Sequence, residues 1–298
     1  MRHVLLITLI VLATSVGCLA VEPLVTPTAT ATRVPSPTPT ATWTPTPSPT
    51  PTGTATPTPE PTPTPRGHLE VAVILHGPSR FLQVDRVLSA NDASSVPILA
   101  YEGQDIPDLT IFDAVILSGG EYPPSRFDQI PFLQQERERV LEAIDAGVPV
   151  LGICLGHQLL AHWLGGHVEN SREFEVGWLE VTLTEEGLED PVLEGLGPRY
   201  YAFLWHWDQV TELPPGGVNL ASSELCAIQN FRYRDLPVWG LQSNPQYDAA
   251  LAQAVLLGAE WLVDMGMDPA AMAARGHEVD DGSQDRIFAN FLSYVRTH

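Results

Sequence analysis

The run Gly152-Ile153-Cys154-Leu155-Gly156-His157-Gln158 places one thiol between two glycines, where an apolar stretch gives way to a helical pattern. A nucleophile on such a turn is pushed clear of the backbone, and the flanking glycines let strand and helix come close. The start of a helix lowers a thiol pKa and points backbone N–H groups at the place where an oxyanion would form. The chemistry this suits is acyl transfer through Cys154. A second Gly-containing segment, Leu117-Ser118-Gly119-Gly120, ends another apolar run and can bring further N–H donors to the same point.

GICLGHQ resembles the nucleophile elbow of class I, triad-type glutamine amidotransferases, and the resemblance extends from about Val71 to Leu292. It implies an oxyanion hole from the Gly120 and Leu155 N–H groups. It also implies glutamine contacts from Gln158, from the Glu175-Val176-Gly177 segment and, within Trp205-His206-Trp207-Asp208-Gln209-Val210, from His206. The family closes its site with Gly-x-Gln-x-His-Pro-Glu. This chain has Gly240-Leu241-Gln242-Ser243-Asn244-Pro245-Gln246, so Asn244 stands at the base position and Gln246 at the orienting position. An amide accepts no proton near neutral pH, and losing the base of such a triad costs about 10⁴- to 10⁶-fold in rate.

His157 and His206 are the candidates for a substitute acid or base. Each also has a plainer reading, His157 as a packed helix residue and His206 as a hydrogen bonder at a strand end. His76, after the first strand, is a weaker candidate. Three functions remain open: a pseudoenzyme that binds a glutamine-like or γ-glutamyl ligand, a hydrolase of amide or γ-glutamyl bonds acting through Cys154, and a structural surface module. Family amidotransferases pass ammonia to a partner that consumes an activated intermediate, and an extracellular location favours hydrolysis or binding over that role.

The elements that must position these residues are legible around them. Val71–Leu75, Ala114–Leu117 and Val148–Ile153 are short apolar runs of the kind buried on both faces of a parallel sheet. Phe132, Val140, Leu141 and Ile144 mark one helical face, stopped at Gly147, and a second helix runs from Leu155 to Trp163. Beyond Val168 the pattern is more strand-like, as at Trp178–Leu183 and Val238–Leu241. The final helices are expected near Ala249–Met265 and Gln284–Val295. The fold class is α/β, a doubly wound, mainly parallel sheet flanked by helices, which the resemblance makes flavodoxin-like.

Composition sets the setting. The 298 residues carry a net charge of −21, and all 15 basic residues are Arg. Without Lys there is no Schiff-base chemistry and no Walker A loop, and so acidic a chain does not suit nucleic acid. The three cysteines, Cys18, Cys154 and Cys226, form no metal-binding pattern, although a Cys154–Cys226 disulfide stays open. Neither a metal nor an organic cofactor is implied.

Residues 1–20 read as a signal sequence: Arg2 and His3, an apolar Val4–Ala13, then Ser15-Val16-Gly17-Cys18. That box resembles a lipoprotein cleavage site with Cys18 as the lipidated residue; an uncleaved anchor and cleavage after Ala20 are the alternatives. Residues 21–66 are dominated by Thr-Pro repeats, which fix φ and remove donors. They read as an extended stalk on the order of 100 Å long, at about 3.1 Å per residue. Residues 67–298 form the folded domain. The expected location is the outer face of a bacterial cytoplasmic membrane or the cell surface.

Overall fold

Leu69–His76 forms β1, in which every residue but Glu70 is buried, as its unbroken apolar run requires. The computed structural model describes residues 66–78 and 81–298; the expected signal sequence, Cys18 and the Thr-Pro stalk lie outside them. Helix α1 (Phe81–Ala90) leads to β2 (Ala93–Ile98), then β3 (Ala114–Gly120), α2 (Pro131–Asp145), β4 (Val150–Ile153) and α3 (Leu155–Trp163). The order continues with β5 (His167–Leu183), α4 (Glu185–Glu189), β6 (Arg199–Glu212), β7 (Gly217–Ser222), β8 (Asn230–Tyr233) and β9 (Val238–Leu241). Helices α5 (Ala249–Gly258), α6 (Glu260–Asp264), α7 (Pro269–Val279) and α8 (Ser283–Thr297) finish the chain.

Among the described residues the strands form one sheet in the order β2-β1-β3-β4-β9-β8-β7-β5-β6. From β2 to β9 the pairings are parallel. From β9 to β6 they are antiparallel. The sheet is thus mixed, with the parallel half carrying the elements expected from the apolar runs. Alternation within those strands divides the core. Val71, Val73, Ile116 and Leu151 pack with Val84, Phe288 and Phe291 on one face. Ala72, Ile74, Val115 and Leu117 pack with Leu133, Val140 and Leu159 on the other. Burying one such aliphatic side chain stabilises by roughly 1.5–3 kcal/mol, and the sheet collects that gain on both faces.

The C-terminal helices depart from the sequence expectation. The helix expected over Ala249–Met265 is broken at Ala259, which has φ −94° and ψ 79°. Helix α7, not anticipated, starts at a recognisable cap: Asp268 accepts hydrogen bonds from the Ala270 and Ala271 N–H groups, with Pro269 in the first turn. Its Gly276 lies against Trp178, where a Cβ would come within 2.5 Å of the indole nitrogen. At the start of the described chain, the Arg66 N–H donates to the Arg296 carbonyl at 3.0 Å. Among the described residues no helix is long and apolar enough to cross a membrane.

Candidate active site

The site is built where β1, β3 and β4 end side by side. Cys154 follows β4 directly and takes φ 53° with ψ −104°, a positive-φ conformation that costs a non-glycine residue on the order of 1–3 kcal/mol. Its N–H donates to the Leu241 carbonyl at 2.7 Å, tying the turn to β9. Glycine is required on both sides. A Cβ on Gly152 would lie 2.5 Å from the Gly156 carbonyl oxygen, and one on Gly156 would lie 2.5 Å from that of Leu117. Close approach of α3 to β3 and β4 therefore holds the strained turn.

Gly120 sits against Leu155: a Cβ there would meet the Leu155 side chain at 2.6 Å and His76 at 2.7 Å. The structure thus brings together the two residues expected to supply the oxyanion hole. Behind them lies a feature not foreseen as a unit, a buried His76–Glu136 pair. The His76 Nε2 is 3.0 Å from Glu136 Oε1, and its Nδ1 donates to the Ser118 carbonyl at 2.8 Å. Both side chains are fully buried, so the pair locks the end of β3, and with it the Gly119-Gly120 loop, to α2.

Cys154 opens on a cavity of about 290 Å³ lined also by Gly120, Tyr122, Gln158, Trp205 and His206. Its Sγ lies 3.8 Å from the Trp205 carbonyl oxygen. Gln158 is held by donating its Nε2 hydrogens to the Asp208 carbonyl at 2.8 Å and to Gln242 Oε1 at 3.2 Å. Asp208 accepts from Asn170 at 2.7 Å, and burial raises its carboxyl pKa. Glu175 is buried opposite His206 across the β5–β6 pairing. Its carboxylate accepts from Ser223 Oγ and from Gln229 Nε2, both at 2.6 Å. The expected glutamine contacts Gln158 and His206 therefore line the Cys154 cavity, while Glu175 stands behind His206.

Neither candidate substitute base is free to serve Cys154. His206 donates from Nδ1 to the Asp208 carbonyl at 3.0 Å, and its Nε2 is 3.1 Å from Glu175 Oε2. That second contact is an ion-pair separation without the alignment of a directed hydrogen bond. The His206 Nδ1 is thus engaged by a backbone carbonyl, and its Nε2 lies at ion-pair distance from a carboxylate. His157 is fully buried against Phe231, with ring centroids 5.1 Å apart. Burial pushes its pKa down to about 3, and although the Gly240 backbone lies alongside, neither ring nitrogen makes a well-formed hydrogen bond.

Asn244 and Gln246 are buried too, and they touch: Gln246 Nε2 donates to Asn244 Oδ1 at 3.2 Å. The Asn244 N–H donates to the Phe203 carbonyl at 2.9 Å. Asn244 does not share the Cys154 cavity. It lines a second cavity of about 250 Å³, and Trp205 and Glu121 line both. No disulfide links Cys154 and Cys226. Burial pushes the Cys226 thiol up to about 12, which makes it inert. Among the described residues no group of three His, Cys, Asp or Glu side chains could hold a metal ion.

Tyr122, Ser223 and Gln229 were not singled out from sequence. Tyr122 could have been, since it directly follows the Gly119-Gly120-Glu121 segment; nothing local marks Ser223 or Gln229 as partners of Glu175.

A cysteine on a strained strand-to-helix turn, a glycine loop packed beside it and a lined cavity define a nucleophile-elbow α/β fold. The sequence model described as "Glutamine amidotransferase class-I" matches residues 84–256, and the chain belongs to that family. The glutamine-hydrolyzing GMP synthase subunit of Methanococcoides burtonii is 36% identical over 173 residues, 58% of this chain and 80% of that protein. That of Methanosarcina acetivorans is 33% identical over 177 residues, with the same shares. Among solved structures, a glutamine amidotransferase from Thermotoga maritima superposes with a TM-score of 0.70 at 23% identity, covering 78% of this chain and 100% of that one. A GMP synthase subunit, so described provisionally, from Thermoplasma acidophilum gives 0.56 at 23% identity, with 77% and 95% covered. Both structural likenesses speak for the fold.

Proposed function

We propose that this protein is an exported, membrane-tethered member of the family that binds a glutamine-like or γ-glutamyl ligand beside Cys154 without turning it over. The observation that carries this reading is the buried Asn244–Gln246 amide pair at the place of base and orienting carboxylate. Glutamine hydrolysis of the kind named for the relatives needs a group that takes the thiol proton and later hands it to the leaving amine. Asn244 cannot do so, His157 stays neutral and enclosed, and His206 faces Asp208 and Glu175. A cavity does open at Cys154, with Gly120 in its lining and Gln158 held by two hydrogen bonds. Export rests on the signal-like residues 1–20, and tethering on Cys18 and the Thr-Pro stretch.

The test is glutamate release from glutamine and γ-glutamyl peptides by the full-length protein, beside Cys154→Ala, with thermal unfolding followed in the same ligands. The expected result is no release above the control and a raised unfolding temperature. Turnover that disappears in Cys154→Ala would overturn the reading in favour of a hydrolase.

A further inference from the structure

Three aromatic side chains, Tyr122, Trp205 and Trp207, line the cavity at Cys154. Cys154 is 5% exposed and Trp207 36%, so the thiol lies at the closed end and Trp207 at the mouth. Trp207 is fixed from behind. It stacks on Phe174 with ring centroids 5.5 Å apart and meets Trp261 at 5.0 Å. Trp261 also stands edge-on to Trp205 at 5.6 Å. Neither Phe174 nor Trp261 lines the cavity, so the surface that the two lining tryptophans give it is the one these neighbours leave uncovered. Rings already held in place lose little freedom when a ligand settles on them.

Charge on the same walls has one sign. Among the described residues that line the cavity, Glu121 and Asp208 are acidic and none is Arg. His206 lines it too, but its Nε2 is 3.1 Å from Glu175 Oε2, so a proton taken up there is matched by a buried carboxylate. Burial holds the Asp208 carboxyl above its usual range, and a cation nearby would favour its charged form. Charge acts over distance in an enclosed space, so neither carboxylate has to touch a ligand for its sign to count. Aromatic ring faces attract cations as well, Trp most strongly.

We propose that the ligand held beside Cys154 is an organic cation: a γ-glutamyl amide whose amine half ends in an ammonium or quaternary ammonium group, seated against Trp205 and Trp207. This rests on the reading of the cavity as a site for a glutamine-like or γ-glutamyl ligand, and narrows it. The amide lies at Cys154 and Gly120 while the cation reaches toward the mouth. An amine half ending in a carboxylate would meet two acidic side chains and no Arg among the lining residues. One ending in a neutral alkyl group gains burial without the attraction of the ring faces.

The test is calorimetric titration of the full-length protein with three γ-glutamyl amides of similar size, made from (2-aminoethyl)trimethylammonium, 3,3-dimethylbutylamine and β-alanine. The titrations use about 1 M NaCl, where the Debye length is about 3 Å and the general negative charge of the chain is screened. The trimethylammonium conjugate should bind about tenfold more tightly than its neutral isostere, and the carboxylate conjugate most weakly. Trp207→Leu keeps an apolar wall without an aromatic face and should cut the ratio of cationic to neutral affinity about threefold or more. Tyr122→Leu supplies the same readout if Trp207→Leu does not fold. The bound cationic conjugate should also slow capping of Cys154 by methyl methanethiosulfonate, read on the peptide that contains this residue. Equal affinity for the cationic and neutral conjugates overturns the proposal and leaves the γ-glutamyl reading standing. A ratio unmoved by the substitutions, or binding that leaves the capping of Cys154 unslowed, overturns it as well. Absence of binding by all three conjugates overturns both readings together.

Discussion

Gln246 donates to the side-chain oxygen of Asn244 at 3.2 Å, so the two residues that the sequence resemblance puts at the base and orienting positions touch. Neither side chain of the pair is ionisable. An amide pair of this kind fills the space and carries no charge, which suits a fully enclosed position better than an ion pair without a substrate to serve.

Restoring the ionisable pair should restore chemistry. Asn244→His with Gln246→Glu is expected to raise Cys154-dependent glutamate release by about 10²-fold or more, the usual contribution of a positioned general base. Each single change should give far less, because base and orienter act as a unit. Release measured for the two singles, the double and the double with Cys154→Ala decides it; a double no better than Asn244→His alone would refute the assignment of Gln246.

His157 makes stability depend on pH. Its folded pKa is about 3 because burial penalises the cation, against an ordinary value near 6.5 in the unfolded chain. Between those values the unfolded state takes up a proton that the folded state refuses. Stability is therefore lost as pH falls from about 6.5 toward 3, by at most about 1.4 kcal/mol per pH unit. Urea midpoints of the protein and His157→Leu between pH 7 and 4.5 should diverge, with the variant losing less on acidification. Asp190 and Asp208, whose burial raises their pKa, act in the opposite direction in both proteins and cancel in the comparison.

The glycines around the thiol are held by backbone, not by yielding side chains. Gly156→Ala would place a methyl group 2.5 Å from the Leu117 carbonyl oxygen. Destabilisation by roughly 1–3 kcal/mol is expected, the range for forced overpacking, read as a lower urea midpoint. Gly103→Ala meets no atom within 4 Å but sits at φ 87°, so it reports backbone strain alone and serves as the comparison.

Glu175 and His206 should prove energetically coupled. A double-mutant cycle with Glu175→Gln and His206→Gln is expected to give an interaction of about 1–3 kcal/mol from unfolding free energies. A value near zero would mean that their 3.1 Å approach carries no net interaction.

Much of this was legible because it depends on residues adjacent in sequence. The glycines at 152 and 156, the helix Leu155–Trp163 and the strand Val238–Leu241 each carry a local reason to be where they are. The register of Gly240, Gln242 and Pro245 exposed the two substitutions for the same reason. What sequence did not disclose is non-local. Which oxygen each nitrogen of His206 faces depends on how β5 pairs with β6, and Trp205 lining two cavities depends on where α5 packs. Helix α7 escaped because its Ala-rich stretch has little apolar periodicity, although the Asp268-Pro269 cap announced it.

The hydrogen bond from Arg66 to Arg296 fixes where the described chain enters the sheet. It lies at the start of β1, whereas Cys154 lies beyond the far ends of the strands parallel to it. Eight residues of β1, at about 3.3 Å each, put roughly 26 Å of sheet between the entering chain and the cavity mouth. The point of chain entry and the cavity mouth therefore lie at opposite ends of the parallel strands.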